Sequence, residues 1–248
     1  MILYSNSCSF GAANQGHKIY PELVAKHCNA TLINRGLPGS CNRRIIRTTV
    51  RDLLDLTKEQ NKELICLIGL TFISRTELWQ PSIAAKDNDG NFHSITVDAK
   101  KHNWSLGLTN TYVKNIHLSV STEVQEYYKQ WLLHMNKEAI ITDLITDIIL
   151  LKNFCQQHNI KLLLWSNAQR WPNTPEVTTN DIFLKTFVDT IVEYKNIINP
   201  WEFCFLDYAL SLGYRPKDEN IYGATGHPNE TAHQDFSDYL IKHITALK

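Results

Sequence analysis

The sequence has no excess of charge of either sign, because its 25 Lys and Arg residues balance its 25 Asp and Glu residues. A chain without net charge produces no overall field that would favour nucleic acid, anionic lipid or another strongly charged partner. We therefore predict that this protein does not bind nucleic acid.

Two further absences concern secretion and membranes. The N-terminus lacks a basic region followed by a long apolar run, and no later segment reaches the roughly 18 consecutive apolar residues that a membrane span needs. The sequence therefore predicts a soluble, unsecreted protein that does not associate with membranes.

The cysteines lack the spacing of a metal site. They form no CxxC pair and no Cys/His pattern typical of zinc ligands. Four of them lie in apolar or helical surroundings that suit buried thiols in a reducing cytoplasm. The six residues are Cys8, Cys28, Cys41, Cys66, Cys155 and Cys204. We expect no metal, no cofactor and a cytoplasmic location.

The chain does contain alternating apolar strands and amphipathic helices. The predicted strands are Ile2–Tyr4, Thr31–Asn34, Leu64–Gly69, Ile160–Ser166 and a last one at Trp201–Leu206; the predicted helices are 12–27, 43–56, 123–158 and one beginning near Pro228. Strands that alternate with helices predict a mostly parallel sheet covered on both faces. At 248 residues the chain can form one such domain, so we predict a single three-layer α/β/α sandwich over residues 1–248.

Residues 79–121 interrupt this pattern with turns and short β-like pieces. The sequence Asp87-Asn88-Asp89-Gly90 predicts a hairpin between Ile83 and Ile95. Long insertions in compact domains are often lids or binding loops. We interpret this one as a lid-like region over the active edge of the sheet, with a plain surface insertion as the alternative.

A small-residue turn follows the first strand, in the segment Ser5-Asn6-Ser7-Cys8-Ser9-Phe10-Gly11. In α/β proteins the carboxyl ends of strands border the ligand site, so Ser9 is a candidate nucleophile. The alternative is that these serines only cap the following helix. The neighbouring Cys8 is interpreted as a small buried side chain, because a thiolate needs a cationic or helix-terminal setting.

The other end of the chain offers a base for such a serine. The segment Gly226-His227-Pro228-Asn229-Glu230-Thr231-Ala232-His233 precedes the last amphipathic helix. A serine hydroxyl is a weak nucleophile and needs a base within hydrogen-bond reach, a role for which His227 is the candidate.

Four elements now lie at strand ends in a definite order: Ser9, the Gly36/Gly39/Asn42 loop, the Gly69/Thr71 turn and His227-Pro228. This order resembles the SGNH (GDSL-like) hydrolases, and most closely a divergent branch whose first block reads Gly-Cys-Ser-Phe. That branch contains uncharacterised, often phage-encoded, proteins. The resemblance implies an SGNH/flavodoxin-like sandwich.

The resemblance also assigns residues. It makes Ser9 the nucleophile and His227 the base, and it places the backbone N–H groups of Gly39 and Ser9 in the oxyanion hole. Asn42 is our preferred candidate for a further oxyanion donor, and Arg75 is the alternative. The candidates for substrate contact are Thr71, Arg75 and His233.

Two family positions differ in this sequence. Thr71 replaces the asparagine that donates to the oxyanion, and Ala224 replaces the aspartate that would orient the histidine. A missing oxyanion donor costs about 10²–10³ in rate, and a missing carboxylate about 10⁴ in a serine protease. Asp207 or a backbone carbonyl is the candidate acceptor for the far side of His227.

These observations predict a cofactor-free serine esterase or deacylase that acts on an ester or O-acyl group of a small molecule or carbohydrate. The alternatives are a catalytically impaired binding protein and an acyl transferase that uses the same residues. For His233, packing on the sheet is the alternative to substrate contact. A metal site of His227, Glu230 and His233 lacks a recognised spacing. The sequence does not determine the oligomeric state.

Overall fold

The computed structural model describes residues 1–12, 16–37, 40–58, 63–71, 75–78, 95–98, 130, 134, 137–167, 197–198, 200, 202–214 and 227–246. Its strands are β1 (Ile2–Ser7), β2 (Thr31–Asn34), β3 (Leu64–Leu70), β4 (Arg75–Leu78), β5 (Ile95–Asp98) and β6 (Lys161–Ser166). Its helices are α1 (Tyr20–His27), α2 (Asn42–Leu56), α3 (Lys137–Gln157), α4 (Phe205–Ser211) and α5 (Glu230–Ala246), with a short 3-10 turn at Ser9–Gly11.

Four of the strands form one parallel sheet in the order β2-β1-β3-β6. The register pairs Ser7 of β1 with Gly69 of β3, and Gly69 with Trp165 of β6. Every residue of β1 and β3 is buried, as expected of strands with helices on both sides. The predicted α/β fold with a parallel sheet is confirmed.

The two faces of the sheet have different cores. We call the face covered by α2 and α3 the aliphatic face; its buried residues include Tyr4, Ile45, Ile68, Ile148 and Leu164. We call the face covered by α1, α4 and α5 the aromatic face; its buried residues include Tyr20, Trp165, Phe205, Phe236 and Leu240. Helices on both faces give the three layers.

The strand order makes the carboxyl end of β1 a natural place for a site. From β1 the chain goes to β2 on one side and then to β3 on the other side of β1. The connections therefore diverge at β1, and in open α/β sheets ligands bind outside the carboxyl ends of strands where this happens. The turn that carries Ser9 directly follows β1.

Two predicted elements, the last strand and the first helix, differ from the structure. The predicted last strand at Trp201–Leu206 is wrong: α4 begins at Phe205, where Cys204 Sγ accepts a hydrogen bond from the backbone N–H of Asp207 at 3.3 Å. On the side of β6 away from β3, Leu164 instead forms a single parallel bridge with Ile197.

The first helix also begins later than predicted, and the predicted hairpin lies mostly outside the described residues. α1 begins at Tyr20, since Gly16 has a left-handed φ of +73° and Pro21 suits a first helical turn. β5 begins at Ile95 and pairs antiparallel with Arg75–Leu78. The rest of the predicted lid-like region at 79–121, including residues 87–90, lies outside the described residues.

None of the helices within the described ranges is long and apolar enough to cross a membrane. All the cysteines except Cys28 are buried.

Candidate active site

Ser9 begins the 3-10 turn that follows β1. The turn is closed by a hydrogen bond from the backbone N–H of Gly11 to the carbonyl oxygen of Cys8 at 3.2 Å. The Cys8 side chain is fully buried in the aromatic-face core, whereas Ser9 is partly exposed. The turn therefore directs the thiol into the protein and leaves the hydroxyl within reach of a ligand.

The loop after β2 packs directly against this turn. Asn34 Nδ2 donates to the carbonyl oxygen of Gly11 at 2.8 Å, and the backbone N–H of Leu37 donates to the carbonyl oxygen of Ser7 at 3.0 Å. A Cβ on Gly36 would lie 2.6 Å from the carbonyl oxygen of Gly11. Only glycine at position 36 allows the two backbones to approach this closely.

His227 reaches Ser9 from the other end of the chain. His227 Nε2 lies 2.7 Å from Ser9 Oγ, a hydrogen-bond distance, although the two residues are 218 positions apart. Two residues after His227, Asn229 caps α5 by accepting from the backbone N–H of Ala232 at 2.9 Å. The cap fixes the start of the helix and with it the short segment that carries the imidazole.

The surroundings of the imidazole are aromatic. The ring of Phe10 lies 5.2 Å from that of His227, and Phe10 in turn contacts Phe205 edge-on at 6.1 Å. Asp207, the candidate to orient His227, lies in the first turn of α4 and is partly buried. Its backbone N–H donates to Cys204 Sγ.

Asn42, the candidate oxyanion donor, is attached to Thr71. Asn42 Oδ1 accepts from the backbone N–H of Thr71 at 2.7 Å, and Asn42 Nδ2 donates to the carbonyl oxygen of Thr71 at 3.2 Å. The amide thus joins the start of α2 to the end of β3. Both side chains are buried, with Asn42 only 5% exposed, so their observed contacts are internal.

The described residues include only part of the remaining candidate positions. Gly39 and Ala224 lie outside the described residues, as does Gly226. Arg75 is the first residue of β4, opposite Asp98 of β5, and only its backbone is described.

His233, a candidate for substrate contact, lies in the aromatic-face core. It is fully buried, and its Nδ1 accepts a hydrogen bond from the backbone N–H of Tyr20 at 3.3 Å. Burial, followed by the charges of His17 and His227, lowers the pKa of His233 to about 3. Of the two alternatives that the sequence left open, this placement corresponds to packing on the sheet rather than to substrate contact.

The same hydrogen bond bears on metal binding. Because Nδ1 of His233 accepts a hydrogen bond from the Tyr20 backbone N–H, the neutral ring carries its own proton on Nε2, which leaves that atom no lone pair for a metal. In the part of the chain that the structure describes, no three His, Cys, Asp or Glu side chains are grouped as metal ligands.

A buried polar cluster beneath the turn was not predicted from the sequence. It comprises Ser5, Ser7, Tyr20 and Asn167, all fully buried on the aromatic face. Ser5, Ser7 and Asn167 lie close enough to the Tyr20 hydroxyl to counter, in part, the rise that burial causes in its pKa. The only available signal was that serines alternate along β1 and a polar residue follows β6.

The orientation of the Asn167 amide follows from its neighbour. Asn167 Oδ1 accepts from the indole N–H of Trp165 at 2.6 Å. Because indole nitrogen only donates, the amide nitrogen must face away from Trp165, and it packs on the backbone of Gly69.

The fold and this site define a class: an α/β protein with a hydrogen-bonded serine and histidine at the carboxyl edge of a parallel sheet. The chain belongs to a family of unknown function, DUF6071, whose sequence model matches residues 12–174. The matched range contains neither Ser9 nor His227.

A comparison with curated proteins found no match. Among solved structures, the chain is similar to a psychrotrophic esterase, EstA, from Pseudoalteromonas sp., whose structure was determined with monoethylphosphonate as inhibitor. The identity is 14%, the TM-score is 0.47, and the match covers 99% of this chain and 97% of the other. A protein assigned to the G-D-S-L family of lipolytic proteins from Desulfitobacterium hafniense gives 11% identity and a TM-score of 0.44, covering 97% and 98% of the two chains.

Proposed function

We propose that this protein is a serine esterase or deacylase of the SGNH type, acting on an ester or O-acyl group of a small molecule or carbohydrate. The observation that carries this proposal is the 2.7 Å contact between Ser9 Oγ and His227 Nε2. A nucleophile and a base within hydrogen-bond reach are the minimum that acyl transfer to serine requires.

The proposed reaction has two halves. Ser9 Oγ attacks the ester carbonyl carbon while its proton moves to His227 Nε2, and the proton then passes to the departing alcohol, leaving an acyl group on Ser9. In the second half His227 takes a proton from water, the water oxygen attacks the acyl carbon, and the proton returns to Ser9 Oγ as the acid leaves. Both halves use one serine and one imidazole.

The oxyanion needs donors close to Ser9. The backbone N–H of Ser9 and the backbone N–H of Gly39 are the proposed donors. The observed contacts of Asn42 with Thr71 support a different role for this residue, which is to hold the end of β3 against the start of α2. An amide nitrogen has two hydrogens, so the contact with Thr71 does not remove Asn42 from the list of donors.

Two sequence differences favour a second candidate, a binding protein that keeps the site and has lost turnover. Thr71 and Ala224 occupy the positions of two side chains that accelerate catalysis in the SGNH hydrolases. An acyl transferase is chemically the same as the esterase up to the acyl-serine, and differs only in which acceptor oxygen attacks it.

The test is hydrolysis of short p-nitrophenyl esters by the wild type, by Ser9→Ala and by Ser211→Ala. Ser211 is an exposed serine at the end of α4 and serves as the matched control. We expect loss of turnover by at least about 10³-fold in Ser9→Ala and no change in Ser211→Ala. Equal rates in the wild type and Ser9→Ala would refute the esterase.

Covalent labelling separates the candidates further. A fluorophosphonate probe should attach to Ser9 in an esterase or a transferase, because both need an activated hydroxyl. A protein that the probe labels and that does not hydrolyse esters, but that before labelling transfers an acyl group from an ester to an added alcohol, would be the transferase. Absence of labelling in a folded protein would favour the binding protein.

A further inference from the structure

Tyr20 contacts the turn that carries Ser9 and the helix that follows His227. Its hydroxyl lies under the turn that carries Ser9, where a Cβ on Gly11 would collide with Tyr20 Oη and Ser7 Oγ. Its backbone N–H donates to Nδ1 of His233, in the first turn and a half of α5, at 3.3 Å. One residue therefore connects the segment of the nucleophile with the helix that follows the base.

We infer that Tyr20 and His233 are positioning residues that set the distance between Ser9 Oγ and His227 Nε2. The catalytic meaning of this inference rests on the function proposed above. The geometric part, that these two buried residues hold the two chain ends together, does not depend on it.

His233 is held on several sides. Its ring stacks on that of Tyr20 at 5.8 Å with an interplanar angle of 24°, and meets Phe205 edge-on at 5.1 Å. Its own backbone N–H donates to the carbonyl oxygen of Asn229 at 3.0 Å. Asn229 is two residues from His227, so a displacement of His233 is transmitted to the imidazole through one capped helical turn.

The bond from Tyr20 also requires a neutral ring. Nδ1 can accept the Tyr20 N–H only while it carries no proton of its own. Burial favours the uncharged imidazole, and the facing His17 and His227 act in the same direction. The contact between α1 and α5 is therefore present throughout the neutral range of pH.

The polar cluster beneath the turn argues for a role beyond packing. Tyr20 Oη, Ser5 Oγ and Asn167 Nδ2 are buried close to one another, but none of them forms a hydrogen bond of ordinary geometry with a described protein group. Such groups are costly to bury. A phenylalanine would fill the same aromatic space without one of these groups, so the presence of a tyrosine points to a role for its hydroxyl at the Gly11 turn.

The experiment compares three variants by the rate at which a fluorophosphonate labels Ser9. His233→Leu removes the acceptor for the Tyr20 N–H, whereas His233→Asn keeps an acceptor oxygen near the position of Nδ1. Tyr20→Phe removes only the hydroxyl. Because small displacements of reacting groups slow catalysis strongly, we expect a fall of about 10- to 100-fold in His233→Leu, recovery to within about threefold in His233→Asn, and a fall of about 3- to 10-fold in Tyr20→Phe.

Tyr4→Phe is the matched control. Tyr4 is equally buried in β1, but on the aliphatic face, where its hydroxyl donates to Asp52 at 3.2 Å. This variant should lose some stability and keep the wild-type labelling rate. A merely structural role of Tyr20 would make Tyr20→Phe behave in the same way, which would overturn the inference for the hydroxyl.

Crystal structures supply a readout that is independent of activity. We expect the Ser9 Oγ to His227 Nε2 distance to exceed about 3.5 Å in His233→Leu, beyond hydrogen-bond reach. If that variant does not fold, an unchanged distance and labelling rate in Tyr20→Phe would overturn the role of the hydroxyl, and a fall in labelling of more than about threefold in His233→Asn would overturn the role of the Tyr20–His233 hydrogen bond. If wild-type Ser9 is not labelled but the distance responds as expected, the proposed function fails and the positioning inference stands.

Discussion

The two faces of the sheet differ in how many of their buried polar atoms are hydrogen-bonded. On the aliphatic face, Asn6 Nδ2 lies 3.0 Å from the carbonyl oxygen of Ile45 and 2.8 Å from Thr48 Oγ1. Among the described residues, six buried side-chain polar atoms lack a protein partner, and only Asn6 Oδ1 lies on this face. The other five, on the aromatic face, are Ser5 Oγ, His17 Nε2, Tyr20 Oη, Asn167 Nδ2 and His233 Nε2.

This difference indicates that the aliphatic face mainly stabilises the fold, whereas the aromatic face supports the candidate site. The aliphatic face follows the ordinary rule that buried polar groups are paired, and it anchors α2 to β1. The aromatic face departs from that rule around the helices α1 and α5, next to the Ser9–His227 contact. Such departures are expected where a protein gives up some stability for a functional geometry.

The largest expected effects come from removing one large core side chain on each face. Phe236 on the aromatic face stacks on Phe205 with ring centroids 4.0 Å apart, and Ile148 is its fully buried counterpart on the aliphatic face. Phe236→Ala should lower the free energy of unfolding by about 3–5 kcal/mol and Ile148→Ala by about 2–5 kcal/mol. Urea unfolding measures both.

The difference between the two faces predicts different rates of Ser9 labelling for Phe236→Ala and Ile148→Ala. Phe236 also packs on Tyr20 at 5.3 Å, so its loss should slow labelling of Ser9 at temperatures where the protein is folded. Ile148→Ala should label at the wild-type rate. If both variants lost labelling equally, the functional distinction between the faces would be wrong.

The next effect is a loss of stability in acid. The pKa of His233 is lowered to about 3, so between this value and the ordinary value near 6.5 the unfolded chain binds a proton that the folded chain does not. The contribution of His233 to the free energy of unfolding is therefore fully present above about pH 6.5. It decreases as the pH falls, by an amount on the order of 4 kcal/mol by pH 3.

Urea unfolding of wild type and His233→Asn between pH 7 and pH 4 isolates this contribution. The wild type should lose more stability than the variant over the interval, because an asparagine side chain at this position has no proton to gain. If the free energy of unfolding changed with pH equally in the wild type and in His233→Asn, the loss of stability in acid could not be assigned to His233.

A smaller effect is expected from Gly36→Ala. The added Cβ would meet the Gly11 carbonyl oxygen at 2.6 Å, which should cost about 1–3 kcal/mol and also displace the Ser9 turn. Gly213→Ala is the control: its φ of +79° makes alanine unfavourable by about 1 kcal/mol, but nothing lies within 4 Å of the added atom. Only Gly36→Ala should slow the labelling of Ser9. The labelling rate and the unfolding curve are measured for both variants.

The smallest effect is expected at the amino edge of the sheet. Lys161 Nζ lies 2.7 Å from Glu63 Oε1, but both side chains are largely exposed. Glu63→Gln should change stability by less than about 1 kcal/mol and leave labelling unchanged. A larger loss in thermal unfolding would show that this pair contributes more than a solvent-exposed ion pair normally does.

Strands with continuous apolar runs were predictable because a parallel sheet buries both of their faces. β3 and β6 appear within a residue or two of their predicted bounds. The prediction of a strand at Trp201–Leu206 is wrong, since a short apolar run is compatible with a strand or with the start of a buried helix. In the structure this run ends in a helix, whose first turn is capped by the Cys204 Sγ that accepts from the backbone N–H of Asp207.

The candidate site was predictable only in part. Ser9 and His227 stood out because of their residue types and their positions beside a strand end and a helix start. No pattern in the sequence indicates that the Asn42 amide binds the backbone of Thr71 or that Tyr20 binds His233, because both are contacts between elements far apart in the chain.

The sequence by itself determined the order of strands and helices and the chemical types available at each strand end, since periodicity and composition are local properties. Only the tertiary structure decided that the two ends of the chain meet and that His233 is buried. It also decided which face of the sheet carries unpaired polar groups. These features depend on packing between residues up to 218 positions apart, and local patterns do not encode such distances.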